Sequence, residues 1–263
     1  MNPEAPVVLA VFAQSSDAEI EVGGLLALLA SRGWQVVFAD ATAGDLSGPE
    51  GTRRANAKRR LEEARRAAAQ IGAIRVLLGE EEGFVFDDRS LREALVRLFR
   101  THRPTVVITA GLDAEDSDNR ALASAVSVAA DLARCEAFAL GGAPLTQKIA
   151  LYVPARETWF DVSAGHRARL AMLQEYRSRA EGFQKNETSE VWTSHVSRSA
   201  AAALPFGWEA AEGLRLLTGK GLSEEPRLSR ELADFLAPSP TAIPKISAKN
   251  LKTPTKSAVK KTR

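Results

Sequence analysis

The chain has 263 residues, of which 45% are hydrophobic and 26% charged, with one cysteine and a formal net charge of +2. This composition is typical of an ordinary globular protein and excludes a wholly disordered chain, a collagen-like fibre and a disulfide scaffold. No apolar run approaches the roughly 18 residues of a membrane span. Because no basic segment precedes the first hydrophobic run, we expect no signal peptide and a cytoplasmic protein.

The small net charge hides two parts of opposite sign. Residues 237–263 carry seven basic side chains and no acidic one, whereas the remaining 236 residues carry 28 basic and 33 acidic ones, a net charge of −5. The last segment also has spaced prolines and no apolar periodicity. We therefore predict a globular domain over 1–237 and a basic, Pro/Lys-rich disordered tail over 238–263.

The first half of the chain alternates between short apolar runs and segments of helical periodicity. The predicted strands are 7–13, 34–39, 74–78 and 105–109, and the predicted helices are 20–31, 49–71, 90–99 and 120–134. Gly33 and Gly72 are expected to follow helix ends, and Ser90 is expected to cap a helix start. Four successive strand–helix units predict an α/β fold, with a Rossmann-like parallel sheet and helices on both faces.

The second half is less regular. Its pattern predicts two strands, over 148–153 and 158–162, and three helices, over 166–180, 209–218 and 228–235. Residues 181–199 are polar and weakly periodic, which predicts an irregular segment. In open parallel sheets, ligands bind beyond the carboxyl ends of the strands. We therefore expect any site in the polar loops 14–19 and 110–119.

The loop after the first predicted strand carries a family resemblance. It reads Ala13-Gln14-Ser15-Ser16-Asp17-Ala18-Glu19 and is followed by Gly23-Gly24. It resembles the A-H-P-D-D-x-E motif of the LmbE/PIG-L family of zinc-dependent N-acetylglucosaminyl deacetylases. Further motifs of that family are matched in order at Arg60-x-x-Glu63, Leu78-Gly79, Glu82-Gly83, Ile108-Thr109-Ala110, 116–122, Asp161-Val162-Ser163 and Ala211-Glu212. The resemblance covers roughly residues 5–220 and implies the fold of the family.

The departures from the family motifs bear on the chemistry. The resemblance places the three zinc ligands of the family at Gln14, Asp17 and Asn119, its general base at Ser16 and its oxyanion-stabilising histidine at Asp116. Carboxamides are seldom zinc ligands, and a hydroxyl without a neighbouring base does not accept a proton near neutral pH. A carboxylate also repels a developing negative charge. We therefore expect a degenerate member of the family, with neither zinc nor hydrolysis.

Several other residues have both an ordinary and a functional interpretation. We expect a pocket around the old site to include Glu19, Arg60, Glu82, Ala110 and Asp118. The acidic loop residues suit magnesium or calcium if they converge, or they cap the following helix. The basic helix face over 53–66 is expected to be solvated, with an anion site as the alternative. The three histidines, His102, His166 and His195, are expected to lie away from the strand-end loops, and Cys135 is expected to be a buried, inert thiol.

Three functions follow from these observations. The first is a pseudoenzyme that binds a sugar or glycoconjugate or acts as a scaffold. The second is an active metal-dependent N-deacetylase with a non-standard site. The third is an interaction protein whose tail, Lys245 to Arg263, binds an acidic partner or nucleic acid in a salt-dependent manner.

Overall fold

A computed structural model describes residues 5–46, 51–178 and 187–236, with backbone only for 187–193. The predicted tail over 238–263 lies outside the described residues. None of the helices described is long and apolar enough to cross a membrane.

Six strands form one mixed sheet. They are β1 (Val7–Phe12), β2 (Gln35–Thr42), β3 (Ile74–Glu80), β4 (Val106–Thr109), β5 (Ala150–Asp161) and β6 (Ala211–Leu217). The strand order is β3-β2-β1-β4-β5-β6, and every neighbouring pair is parallel except β5 and β6. The predicted α/β, Rossmann-like fold is confirmed.

Seven α-helices are described around this sheet. They are α1 (Asp17–Ser31), α2 (Arg53–Ala69), α3 (Arg89–His102), α4 (Ser117–Leu132), α5 (Ser163–Gln174), α6 (Glu187–Ala203) and α7 (Arg227–Glu231). Alternate residues of β1 enter two separate apolar cores. One core contains side chains of α1, α2 and α5, and the other contains side chains of α3 and α4. Helices therefore cover both faces, as predicted.

The strand order reverses direction between β1 and β4. The chain moves outward from β1 through β2 to β3, and then returns to place β4 on the other side of β1. At such a switch point the loops after the two central strands diverge to opposite faces and leave a crevice between them. The loops that begin at Gln14 and Ala110 border this crevice.

The second half of the chain corrects several predictions. Residues 209–218 were expected to be helical because Ala210, Leu214 and Leu217 have helical spacing, but the segment forms β6, which pairs with the otherwise open edge of β5. The two strands expected over 148–153 and 158–162 are one strand with a register shift. The expected irregular segment includes the well-formed helix α6. At α3 the capping residue is Asp88 rather than Ser90, since its carboxylate accepts from the Leu91 N–H.

Helix α1 is interrupted after its first turn. Val22 has non-helical dihedral angles (φ −141°, ψ 19°), so nearby backbone groups lose their helical partners. The guanidinium of Arg169 donates to the carbonyls of Glu19 and Ile20 before the kink. The Glu212 carboxylate accepts from the N–H groups of Gly24 and Leu25 after it, at 2.9 and 2.8 Å. Two buried side chains thus satisfy the backbone on each side of the kink.

A buried ion-pair network supports the first loop from beneath. The guanidinium of Arg75 makes two hydrogen bonds to Asp40, at 2.7 and 2.8 Å, and one to Glu19 at 2.6 Å. The Asp40 carboxylate also accepts from the Ser15 hydroxyl. Tyr176 donates to Glu19 at 2.6 Å, so the network joins β2, β3, α1 and the segment after α5. Burial raises the pKa of Asp40 to about 6, and the Arg75 guanidinium opposes that rise.

Gly165→Ala should destabilise the fold, because a Cβ at Gly165 would lie 2.1 Å from the carbonyl oxygen of Gly24. Overpacking of this kind costs roughly 1–3 kcal/mol. Gly141→Ala is the matched control, since a Cβ there meets nothing within 4 Å. Urea denaturation should show a large loss only for the first variant. Equal unfolding midpoints would contradict the close approach of α5 to α1.

Arg75→Met should lower the free energy of unfolding by about 3–5 kcal/mol, because it leaves two carboxylates buried without their cation. Arg89→Met is the control, since the Arg89 side chain is 88% exposed in its pair with Glu93 and its loss should leave the free energy of unfolding nearly unchanged. The folded-state pKa of Asp40 lies above its unfolded value, and removing Arg75 raises it further. Stability is therefore lost as the pH rises through that pKa, and the deficit of Arg75→Met relative to wild type should be larger near pH 7 than near pH 4. A deficit independent of pH would contradict this account.

Candidate functional site

A cleft of about 540 Å³ opens at the carboxyl ends of β1 and β4. We call it the strand-end cleft. It lies at the reversal of strand order, where the fold predicts a ligand. Its wall consists of Phe12, Gln14, Asp17, Ile20, Glu21, Ala110, Gly111, Asp113, Ala114, Glu115, Asp116, Asn119, Pro154, His195 and Arg198. Three residues at the zinc-ligand positions implied by the resemblance, Gln14, Asp17 and Asn119, therefore share one cleft.

The Asn119 carboxamide joins the two central loops. Its Oδ1 accepts from the buried N–H of Ala13 at 2.9 Å, and its Nδ2 donates to Asp17 Oδ2 at 3.0 Å. The Ala13 N–H requires an acceptor, which fixes Oδ1 on that side and directs the amide hydrogens toward Asp17. The same Asp17 oxygen accepts from the Gln14 N–H at 3.3 Å. A hydrogen bond thus connects two of the positions that a metal would bridge.

The two remaining positions of catalytic interest have structural roles. Ser16 is fully buried at the start of α1 with φ 85°, in the left-handed region, and its carbonyl accepts from the Ile20 N–H. Asp116 caps α4, since its Oδ1 accepts from the Asn119 N–H at 2.8 Å. Its carboxylate remains exposed at the cleft. Neither position presents a base or an oxyanion donor of the kind found in the family motif.

Buried polar contacts hold the first loop in place. The carbonyl of Ala13 accepts from both the N–H and the hydroxyl of Thr42, at 2.9 and 3.1 Å. Arg60, fully buried, donates to the carbonyl of Ser15 at 3.2 Å. The basic face of α2 is therefore not wholly solvated, because Arg60 points inward and positions the loop that carries Gln14.

The expected pocket lining needs correction. Of Glu19, Arg60, Glu82, Ala110 and Asp118, Ala110 lines the cleft and the other four do not. Glu19 belongs to the Arg75 network. The Glu82 carboxylate accepts a hydrogen bond from the Leu46 N–H, and the Asp118 carboxylate accepts from the N–H groups of Gly83 and Val85. These carboxylates satisfy buried backbone donors. Among the described residues, no three His, Cys, Asp or Glu side chains are grouped to hold a metal ion.

Helix α6 brings two residues to the site that sequence reasoning placed elsewhere. His195 and Arg198 line the strand-end cleft, and Arg198 contacts both ring nitrogens of His195, at 2.6 and 2.8 Å. The Ser199 hydroxyl holds this helix on β6 by donating to the Ala211 carbonyl at 2.8 Å. The helical spacing of Val196, Ser199 and Ala203 is the signal that was available in the sequence. His195 was expected to lie apart from the strand ends, and that expectation is wrong.

Cys135 is exposed just beyond α4, so it is not the buried thiol that was expected. Gly23 and Gly24 lie where α1 closely approaches α5 and Val162, the residue that precedes α5. A Cβ at Gly23 would lie 3.0 Å from Arg169 Cγ, and one at Gly24 would lie 2.9 Å from Val162 Cγ2.

A second cleft, of about 500 Å³, lies above the kink in α1. We call it the kink cleft. It shares part of its wall with the strand-end cleft, at Ile20, Glu21, Pro154, His195 and Arg198. The remaining wall is formed by Ala155, Arg156, Trp159, Arg169, Ser199, Ala201, Ala202, Ala211, Glu212 and Gly213. The two clefts are therefore continuous along α6.

The electrostatics of the two clefts differ. Five carboxylates and one arginine line the strand-end cleft, which gives it an excess of hydrogen-bond acceptors. Three arginines and two glutamates line the kink cleft. Desolvation by the surrounding wall raises the pKa of Glu21, and the nearby Asp17 raises it further. Burial likewise raises the pKa of Glu212, while Arg169 and two backbone N–H groups oppose the rise.

The donor set at the strand ends does not fit zinc. Zinc in proteins is held by thiolate, imidazole and carboxylate, and among Gln14, Asp17 and Asn119 only Asp17 supplies one of these. The Asn119 amide turns its hydrogens, rather than an oxygen lone pair, toward Asp17. We therefore derive no chemical step through a metal at this site.

The sequence and the fold resemble known proteins. Residues 9–130 match the sequence profile of the family described as PIG-L: GlcNAc-PI de-N-acetylase. No curated protein matches the chain. Among solved structures, a conserved protein from Thermus thermophilus is 22% identical with a TM-score of 0.71, over 83% of this chain and 97% of that one. The N,N'-diacetylchitobiose deacetylase from Pyrococcus horikoshii is 17% identical with a TM-score of 0.73, over 85% and 88%.

A protein of another activity shares the same fold. The 4-carboxy-2-hydroxymuconate hydratase GalB from Pseudomonas putida is 19% identical with a TM-score of 0.70, over 84% of this chain and 99% of that one. Likeness at these identities shows the fold, and function is decided by the site. The profile match lies on β1 to α4, which carry Gln14, Asp17 and Asn119, and the described residues share the fold of the diacetylchitobiose deacetylase. Residues 9–130, just under half of the chain, therefore match the PIG-L family in sequence.

Proposed function

We propose that this chain is a deacetylase-like pseudoenzyme that has lost zinc binding and hydrolysis and binds a sugar or glycoconjugate in the strand-end cleft without cleaving it. The observation that carries the proposal is the Asn119 carboxamide, which accepts from Ala13 and donates to Asp17. This arrangement holds the two central loops together through hydrogen bonds alone. The cleft can therefore persist without a metal.

The positions beside that amide support the loss of hydrolysis. Hydrolysis by the family's route needs a base at position 16 and an oxyanion donor at position 116. Ser16 is a buried hydroxyl, and Asp116 is a carboxylate that would repel a developing oxyanion. Restoring one of these two positions would leave the function of the other missing.

The wall of the cleft supports a polyhydroxylated ligand. Its carboxylates, at Asp17, Glu21, Asp113, Glu115 and Asp116, accept hydrogen bonds from hydroxyl and ammonium groups. One structural neighbour is a deacetylase of N,N'-diacetylchitobiose, a sugar. Glucosamine is therefore the simplest probe of this cleft, because it carries both hydroxyl and amine donors.

Isothermal titration calorimetry should detect the binding of glucosamine to the wild-type chain, and Asp17→Asn should weaken that affinity. Equal affinity in the two proteins would contradict the proposal.

The double variant Gln14→His/Asn119→His should regain zinc binding. It would restore a His-Asp-His set, the kind of donor set that a catalytic zinc site requires. Zinc at a hundredfold excess over Kd should then raise stability by about 2.7 kcal/mol, as measured by thermal unfolding with and without the metal. The matched control adds Asp17→Asn, which removes the carboxylate and should abolish the gain. A folded double variant that binds no zinc would show that these side chains do not converge.

Hydrolysis should not return with zinc alone. The double variant still has Ser16, so an assay of acetate release from N-acetylglucosamine conjugates should remain at the background level. Adding Ser16→Asp supplies a carboxylate base, and aspartate tolerates the left-handed backbone at this position better than most residues. Activity should depend on this third change. Zinc-dependent acetate release by the wild-type chain would instead favour an active N-deacetylase with a non-standard site.

A further inference from the structure

The kink cleft contains an arginine whose hydrogen-bonding capacity is only partly used. Arg169 is 2% exposed and lies in the cleft wall, where its Nε and Nη2 donate to the carbonyls of Glu19 and Ile20. Its Nη1 is buried and has no hydrogen-bond acceptor among the described residues. The Glu212 carboxylate lies 3.6 Å from Nη1, beyond hydrogen-bond distance. A buried guanidinium nitrogen without an acceptor is costly, which indicates that a ligand oxygen completes it.

Two exposed arginines surround the same cleft. Arg156 lies in β5 at its register shift against β6, and Arg198 lies on α6. Trp159 adds an aromatic side chain to the same wall. Planar guanidinium groups that converge from separate elements are typical of phosphate recognition, since they match several acceptor oxygens at once.

The acidic residues of this cleft do not cancel the arginines. Glu212 accepts from the N–H groups of Gly24 and Leu25 and its charge offsets that of Arg169, so the net positive charge of the cleft comes from Arg156 and Arg198 against Glu21. Glu21 lies on the wall shared with the strand-end cleft, beside Asp17. Glu21 and Arg198 thus line both clefts, whereas Arg156, Arg169 and Glu212 line the kink cleft alone.

We propose that the kink cleft binds a phosphate group of the ligand, while the strand-end cleft holds the hydroxyl- and amine-bearing ring, so that the ligand is a phosphorylated amino sugar. The assignment of both groups to one ligand rests on the proposed function. It follows from the shared wall of the clefts and from their opposite charge. Arg169 at the floor and Arg156 and Arg198 at the rim contact the phosphate oxygens.

The test is calorimetry on the full chain with four probes. They are glucosamine 6-phosphate, glucosamine, inorganic phosphate and glucuronate. The variants are Arg156→Gln and Arg198→Gln, whose side chains are exposed and whose loss leaves the core intact. Arg215→Gln is the matched control, because Arg215 is an exposed arginine of β6 outside both clefts.

Glucosamine 6-phosphate should bind at least about tenfold more tightly than glucosamine, and each cleft variant should weaken it by about tenfold, the effect of losing one charge-assisted hydrogen bond. The affinity for glucosamine should be unchanged in Arg156→Gln, because Arg156 does not line the strand-end cleft, and the control should retain wild-type affinity for every probe. Equal affinity for glucosamine and its phosphate would overturn this inference and leave the proposed function standing. Glucuronate binding as tight as the phosphate would overturn the choice of phosphate.

Binding of inorganic phosphate tests the anion site separately from the sugar-binding function. If inorganic phosphate binds, and Arg156→Gln and Arg198→Gln abolish that binding, the anion site is supported even when glucosamine shows no affinity. Failure of glucosamine would then count against the sugar-binding function alone. Phosphate affinity that is unchanged in both variants would contradict the site.

Discussion

The arrangement of the strand ends depends on the carboxamide of Asn119. It satisfies the buried N–H of Ala13 at the end of β1 and donates to Asp17 at the start of α1, while its own backbone is capped by Asp116 at the start of α4. Three elements are thereby fixed around the switch point of the sheet. Hydrogen bonds from the Ala13 N–H to the amide oxygen and from the amide to the Asp17 carboxylate hold this junction.

The kink in α1 determines the shape of the site. The non-helical residue Val22 separates the first turn of α1 from the rest of the helix, and α1 packs against α5. Arg169 and Glu212 stabilise the kink, because they form hydrogen bonds with the backbone groups on either side of it. Their ion pair also forms the floor of the kink cleft. The same two buried side chains therefore stabilise an irregular helix and define a surface for recognition.

Much of the fold was predictable because β1 to β4 have short apolar runs and their helices have clear periodicity. The convergence of Gln14, Asp17 and Asn119 was also predictable, since carboxyl ends of adjacent parallel strands meet at one edge. The contribution of His195 and Arg198 was not, because α6 is weakly amphipathic and its position depends on packing against β6. That strand was itself predicted as a helix, since Ala210, Leu214 and Leu217 have helical spacing. The roles of Glu19 and Asp118 were missed for a related reason, because sequence does not show which carboxylates face buried side-chain cations or backbone N–H groups.

The most direct test of the central claim is an ¹H–¹⁵N spectrum of the Asn119 side-chain amide, assigned by its loss in Asn119→Asp, recorded with and without one equivalent of zinc. The hydrogen bond to Asp17 predicts two resolved, slowly exchanging amide protons whose shifts do not change when zinc is added. If stoichiometric zinc moves or abolishes these resonances while the chain takes up one metal ion, the amide has rotated to coordinate it. The account of a metal replaced by a hydrogen bond would then be wrong.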